Sequence, residues 1–220
     1  MGLRGLLTSV LCLGATAAGA HPHIFVDAGL QLHFDDRDRL AAVRVVWVYD
    51  EFYSMLMIDD LGLDRDYTGN VTPEEREELS GFDMNWVEGY EGDLRLRAGA
   101  ERLELSGPLE WTADYRDGRI ITTHLRAVRE PPEASAGPLV FEVYDPTYYT
   151  DYTIALEAMI EGREDCTSRL VEPDWEAAEA ELQGALDELI ADGADAQEIE
   201  ADFPAVGEAF AHELWVQCGD

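Results

Sequence analysis

The chain has 220 residues, 47 of them Asp or Glu against 15 basic ones, for a formal net charge of −32. Every basic residue is an arginine. A chain this negative is repelled by phosphate backbones and by anionic lipid, so nucleic acid is excluded as a partner, while divalent cations are attracted.

Met1 to Ala20 carries one early arginine, Arg4, then the apolar run LLTSVLCLGATA and a closing Ala18-Gly19-Ala20. That layout predicts a secretory signal peptide cleaved after Ala20. Its apolar core is too short to span a bilayer, and no later stretch approaches ~18 uninterrupted apolar residues, so no direct membrane span is expected. In a Gram-negative bacterium the destination is the periplasm. The remaining residues, 21–220, suit one β-rich domain with insertions at 50–89 and 174–202.

Cleavage after Ala20 starts the processed chain at His21-Pro22-His23 and places a free α-amine beside an imidazole. Nitrogen donors of this kind suit copper, zinc, nickel or cobalt. Pro22 has no backbone N–H, so an amide-coordinated square-planar site is ruled out and any site must use side chains and the terminus. Alternation along the first strand puts His23 and Asp27 on one face. His124, in a later strand, is the choice for a further ligand ahead of His33 and His212. The competing reading is a frayed end with two exposed histidines.

His23 to Phe34 and Leu40 to Tyr49 alternate apolar and polar around Asp35-Asp36-Arg37-Asp38, which predicts a β-hairpin with an acidic turn. Asp50 to Leu63 is apolar at near-helical spacing, and a second helical run begins at Pro73 and extends to about residues 86–89. Between them lies D-R-D-Y-T-G-N-V-T-P-E-E, residues 64–75, which matches a twelve-residue EF-hand calcium loop. Asp64, Asp66 and Thr68 take positions 1, 3 and 5, Gly69 the sharp turn, Asn70 the carbonyl position, Thr72 the water-mediated position and Glu75 the bidentate one. Thr68 is a neutral oxygen where an acid is commoner, leaving three ligand carboxylates. Val71 can add a short β contact. The alternative is an acidic helix–turn–helix that merely resembles the motif.

Short strands follow at 94–97, 102–105, 109–115, 119–128 and 139–144, divided by turn signals. Trp175 to Ile190 is an acidic amphipathic helix with Asp174 as N-cap and Gly193 as its stop. Phe210 to Cys218 closes as a strand. With Cys12 lost in the leader, Cys166 and Cys218 form an even pair in an oxidising compartment, and a disulfide between them is expected ahead of free thiols or a soft metal site. The fold class is α+β: an antiparallel, sandwich-like β-rich domain with an EF-hand-like helix–loop–helix insertion and a C-terminal helix.

The segments H-P-H-I-F-V-D, V-W-V-Y-D-E-F-Y, V-Y-D-P-T-Y-Y and C-T-S-R-L-V-E-P, together with the calcium-like loop, give the chain a family likeness. It resembles exported bacterial proteins labelled periplasmic component of an ABC-type transport system. Members of that family are often encoded beside, or fused to, nickel and cobalt type transporters. The resemblance implies divalent-metal handling with a membrane metal transporter as partner, and carries over His21, His23 and Asp27, with Asp145 and Tyr148 in the later motif. The expected function is a non-enzymatic, periplasmic metal-binding accessory protein with one calcium loop. The alternatives are a calcium-ordered interaction module, or a copper enzyme built on the terminal histidines, although no nucleophile or proton-transfer set accompanies them.

Overall fold

The protein is described here by a computed structural model that covers residues 22–133 and 137–219. The expected signal peptide and His21 lie outside the described residues. In chain order the elements are β1 (Ile24–Phe34), β2 (Leu40–Tyr49), α1 (Glu51–Leu61), α2 (Pro73–Leu79), β3 (Leu94–Ala98), β4 (Glu101–Leu103), β5 (Leu109–Arg116), β6 (Arg119–Ala127), β7 (Leu139–Val143), β8 (Thr150–Ile154), β9 (Met159–Glu161), β10 (Cys166–Val171), α3 (Trp175–Ala191), α4 (Ala196–Ala201) and β11 (His212–Cys218), with a 3₁₀ turn at Gly207–Phe210.

Two sheets pack face to face. The first runs β5-β6-β2-β1-β8, with β9 also on β1, and the second runs β10-β11-β7-β3-β4. Pairing is antiparallel except for β1 with β8 and with β9, which is parallel. The β1–β2 hairpin registers Val26 on Tyr49 and Phe34 on Leu40. Its turn is fixed by Asp35, whose Oδ1 accepts the N–H groups of Arg37 and Arg39 at 2.9 and 3.0 Å. The Arg39 guanidinium on the same carboxylate holds Asp35 down to about 2. Period-2 alternation turns Val43, Val45 and Trp47 inward, where Leu30, Leu32 and Ile120 of the same sheet meet Leu96, Leu139 and Phe141 of the other in one apolar cluster.

The α1 helix starts at Asp50, whose Oδ1 accepts the N–H of Tyr53 at 2.8 Å and whose Oδ2 accepts that of Phe25 at 2.9 Å. One side chain therefore caps the helix and ties it to β1. Gly62, at φ 69°, ends α1 in the left-handed region. The second helix is shorter than its charged sequence suggests: α2 stops at Leu79, because Ser80 is extended and Gly81 turns at φ 82°. Residues 80–93 follow as turns and irregular chain.

The C-terminal part adds a smaller cluster. Ala178 and Leu182 of α3 pack with Val206, Phe210 and Tyr148, and the Tyr148 and Phe210 rings stack at 3.9 Å. Asp174 caps α3 through the N–H of Ala177 as its sequence implies. Cys166 and Cys218 face each other across β10 and β11 and form a disulfide. Among the described residues no helix is long and apolar enough to cross a membrane.

Candidate functional site

The Asp64–Glu75 segment joins α1 to α2, and its two ends are held together. Glu75 Oε1 accepts the N–H of Asp64 at 3.0 Å, and Glu75 Oε2 accepts that of Thr72 at 2.9 Å. Thr72 Oγ1 in turn accepts the N–H of Glu75 at 3.2 Å, completing a capping box on α2. Asp64 Oδ1 accepts the backbone N–H and hydroxyl of Thr68 at 2.8 and 2.9 Å, and Oδ2 accepts the N–H of Gly69 at 2.9 Å. Burial pushes the Asp64 carboxyl up, but these donors outweigh it and hold it below the usual range. At Glu75 the Thr72 N–H has the largest effect and lowers that carboxyl as well. Both acids are thus ionised well before neutral pH.

Oxygen donors converge inside the loop. Thr68 Oγ1 lies 2.9 Å from Asp64 Oδ1 and 3.3 Å from the Asn70 carbonyl oxygen. Both contacts are hydrogen bonds from the Thr68 hydroxyl, and they gather three of the loop's oxygens around one side chain. Asp66 is exposed beside them, and no group of three or more His, Cys, Asp or Glu among the described residues is placed to hold a metal unaided. Hydroxyl and carbonyl oxygens therefore have to complete any calcium shell. The loop's β contact is made by Asn70, which bridges Arg116 at the β5–β6 turn, while Val71 is buried in the main core.

The histidine set is scattered. His124 on β6 lies opposite Val45 of β2, which lies opposite Leu30 of β1. His23 is seven positions before Leu30, roughly 23 Å away at the rise of a strand. One ion cannot take both. His124 is fully buried, its ring 4.8 Å from that of Trp47 and 5.4 Å from that of Trp86, and neither ring nitrogen has a hydrogen-bond partner. Burial, aided by Arg126 and Arg44, pushes its imidazole down to about 3. His23 sits by the surface with Nε2 3.5 Å from Glu200 and its ring 4.6 Å from Tyr149. Asp27 is paired with Arg119 at 2.8 Å. Asp145 caps its own turn by accepting the N–H groups of Thr147 and Thr150, and Tyr148 is a packing residue at φ 54°.

A buried polar seam, marked by no motif, lies between the first sheet and the 80–93 segment. Asp83 Oδ2 accepts hydrogen bonds from Tyr49 and Thr122 at 2.9 and 2.8 Å, and Asp93 Oδ2 accepts from Tyr90 and Tyr152 at 2.5 and 2.9 Å. Burial raises both carboxyls against those donors, Asp93 to about 6. The signal was present in β6, where Thr122, His124 and Arg126 fall at alternate, inward-facing positions.

No curated protein matches the chain. The model of the family described as "Protein of unknown function (DUF1007)" matches residues 6–218, and the chain belongs to that family.

Proposed function

We propose that this is an exported, non-enzymatic metal-binding accessory protein whose Asp64–Glu75 loop holds one calcium ion. The observation that carries the reading is the closure of the loop, the Asp64 N–H on Glu75 Oε1 at 3.0 Å, which brings the first and last acids of the motif together. Calcium asks for six to eight hard oxygens. Asp64, Asp66 and Glu75 offer carboxylates, Thr68 a hydroxyl, Asn70 a carbonyl and Thr72 a water-mediated contact. An ionised carboxylate has about four lone-pair sites, so Asp64 and Glu75 can keep their backbone donors and still face an ion. Bound calcium would supply positive charge to a loop dense in acid and so fix α1 against α2.

Glu75→Gln is the discriminating variant, because Gln at the same helical position still completes a capping box. In isothermal titration with calcium chloride the wild-type chain is expected to bind with a dissociation constant at or below about 1 mM. Glu75→Gln should bind at least about tenfold more weakly, with an unchanged circular dichroism spectrum. No heat from the wild-type chain at millimolar calcium would sink the proposal.

The transition-metal role expected alongside calcium, in service of a membrane metal transporter, rests on His21 and His23, because strand register removes His124. Loss of zinc or nickel affinity in a His21→Ala, His23→Ala double variant is its test, and undiminished affinity would discard it.

A second reading is favoured by α1 itself. Phe52, Met55 and Leu56 are 65%, 52% and 49% exposed beside the loop. A contiguous apolar face of this kind suits a calcium-ordered interaction module. Phe52→Asp with Met55→Asp should then abolish calcium-dependent co-purification of a membrane partner without changing calcium affinity. Retained co-purification would exclude the module reading.

A further inference from the structure

A cavity of about 510 Å³ opens between the Trp86–Arg95 stretch, β4 with its following turn, and the end of β6. Four of the chain's 15 arginines, Arg95, Arg102, Arg126 and Arg129, line it, against two acids, Glu91 and Glu104. Elsewhere acids outnumber bases about fourfold, so the wall reverses the sign of the molecule.

Those arginines are not equivalent. Arg102 pairs with Glu91 at 2.5 Å and Arg129 with Glu104 at 3.3 Å, both near the surface. Arg95 is buried, donates to the Tyr144 carbonyl and lies over the Tyr144 ring at 3.8 Å. Arg126 is 3% exposed, donates Nε to the Ser106 carbonyl, pairs with no carboxylate among the described residues, and keeps Nη1 buried without a hydrogen-bond partner. A buried guanidinium in that condition is costly unless an anion completes it. Its place is built: the Arg126 guanidinium lies over the Trp86 ring at 4.7 Å, and Gly92, at φ +72°, makes the room. A Cβ on Gly92 would fall 2.1 Å from Trp86 and 2.6 Å from Arg126 Nη1.

We propose that this cavity binds a small organic carboxylate with an apolar body, its carboxylate received by Arg126 and its body lying against Trp86 and Tyr90. With Nε held by Ser106, the Nη1 and Nη2 end of the guanidinium is what matches a carboxylate in plane and can donate two parallel hydrogen bonds. Leu94, Leu103 and Leu105 form an apolar strip within a mainly polar wall, which gives a short apolar body a place beside the charge it carries. The cavity volume fits a molecule of that size.

The test is isothermal titration of the full chain with benzoate, hexanoate, succinate and inorganic phosphate, read together with tryptophan fluorescence. Benzoate or hexanoate is expected to give saturable heat and to perturb the emission. Arg126→Gln should weaken that binding at least about tenfold and Arg129→Gln by no more than about fivefold, with circular dichroism unchanged. If Arg126→Gln does not fold, the surface double variant Arg102→Gln, Arg129→Gln carries the test, with binding lowered at least about threefold. Absence of carboxylate binding, binding undiminished in a folded Arg126→Gln chain or in the double variant, or binding of phosphate alone would each overturn the proposal.

Discussion

Asp93 accepts two phenolic hydrogen bonds and still holds its proton more tightly than an exposed acid, because burial outweighs the donors. Its carboxyl ionises at about 6 in the native chain against 3.8 without the protein around it. Between those values the native chain carries a proton that the unfolded chain has lost. Stability from this group is therefore full below the lower value and falls as pH rises through the upper one. The loss approaches about 3 kcal/mol. His124 works in the opposite sense: with its imidazole pushed down to about 3, its share is full above 6.5 and is lost as pH falls. Between pH 4 and 6 these two effects have opposite signs and offset each other, so Asp93→Asn is expected to uncover the His124 limb: urea unfolding midpoints of the variant should rise with pH there more steeply than those of the wild type. An unchanged slope would show that Asp93 ionises normally. At this scale the sequence could be read only in part. Thr122, His124 and Arg126 were visible as alternating residues, but whether they faced water or the opposing sheet depended on β3 and β7, far along the chain. Asp64 and Glu75 were legible because their spacing is local. The same Thr72-to-Glu75 spacing also spells a capping box, so one local pattern serves both the helix cap and the proposed ion loop.

Elements with long alternation or a clear cap were legible: the β1–β2 hairpin, β5, β6, α3 and β11 lie where their patterns put them. Strands β8, β9 and β10 were not, since runs of three to six residues carry too few periods to stand out from a turn-rich stretch. They exist because β1 and β11 offer them edges. One connection among these elements depends on a missing side chain. Gly207 donates its N–H to the Pro146 carbonyl at 3.0 Å, and a Cβ there would fall 1.7 Å from the Asp145 carbonyl oxygen. Gly207→Ala must push the 3₁₀ turn off the 145–148 turn and open the Tyr148–Phe210 stack. A destabilisation of about 2–3 kcal/mol is expected, with loss of near-ultraviolet circular dichroism but unchanged calcium affinity. Wild-type stability in this variant would mean the two turns are not packed as described.

Across the whole molecule, the disulfide joins strands that the α3–α4 segment would otherwise leave to find each other. Its cysteines are 52 residues apart, and closing a loop of that length is worth about 4 kcal/mol in the chain-entropy picture. Cys166→Ala with Cys218→Ala should lower unfolding free energy by about that amount, and reduction with dithiothreitol should reproduce the effect. A difference below about 1 kcal/mol would show that β10 holds β11 without it. Strand β1 has a consequence of a different kind. Its inner edge pairs with the adjacent β2, but its outer edge pairs with Thr150–Ile154 and Met159–Glu161, so the earliest strand closes on residues made late. Contacts this distant in sequence slow folding, because chain closure has to precede any gain from pairing. A nascent chain that has not yet released its last third thus keeps an open edge on β1 and can lock this sheet only once those residues have emerged.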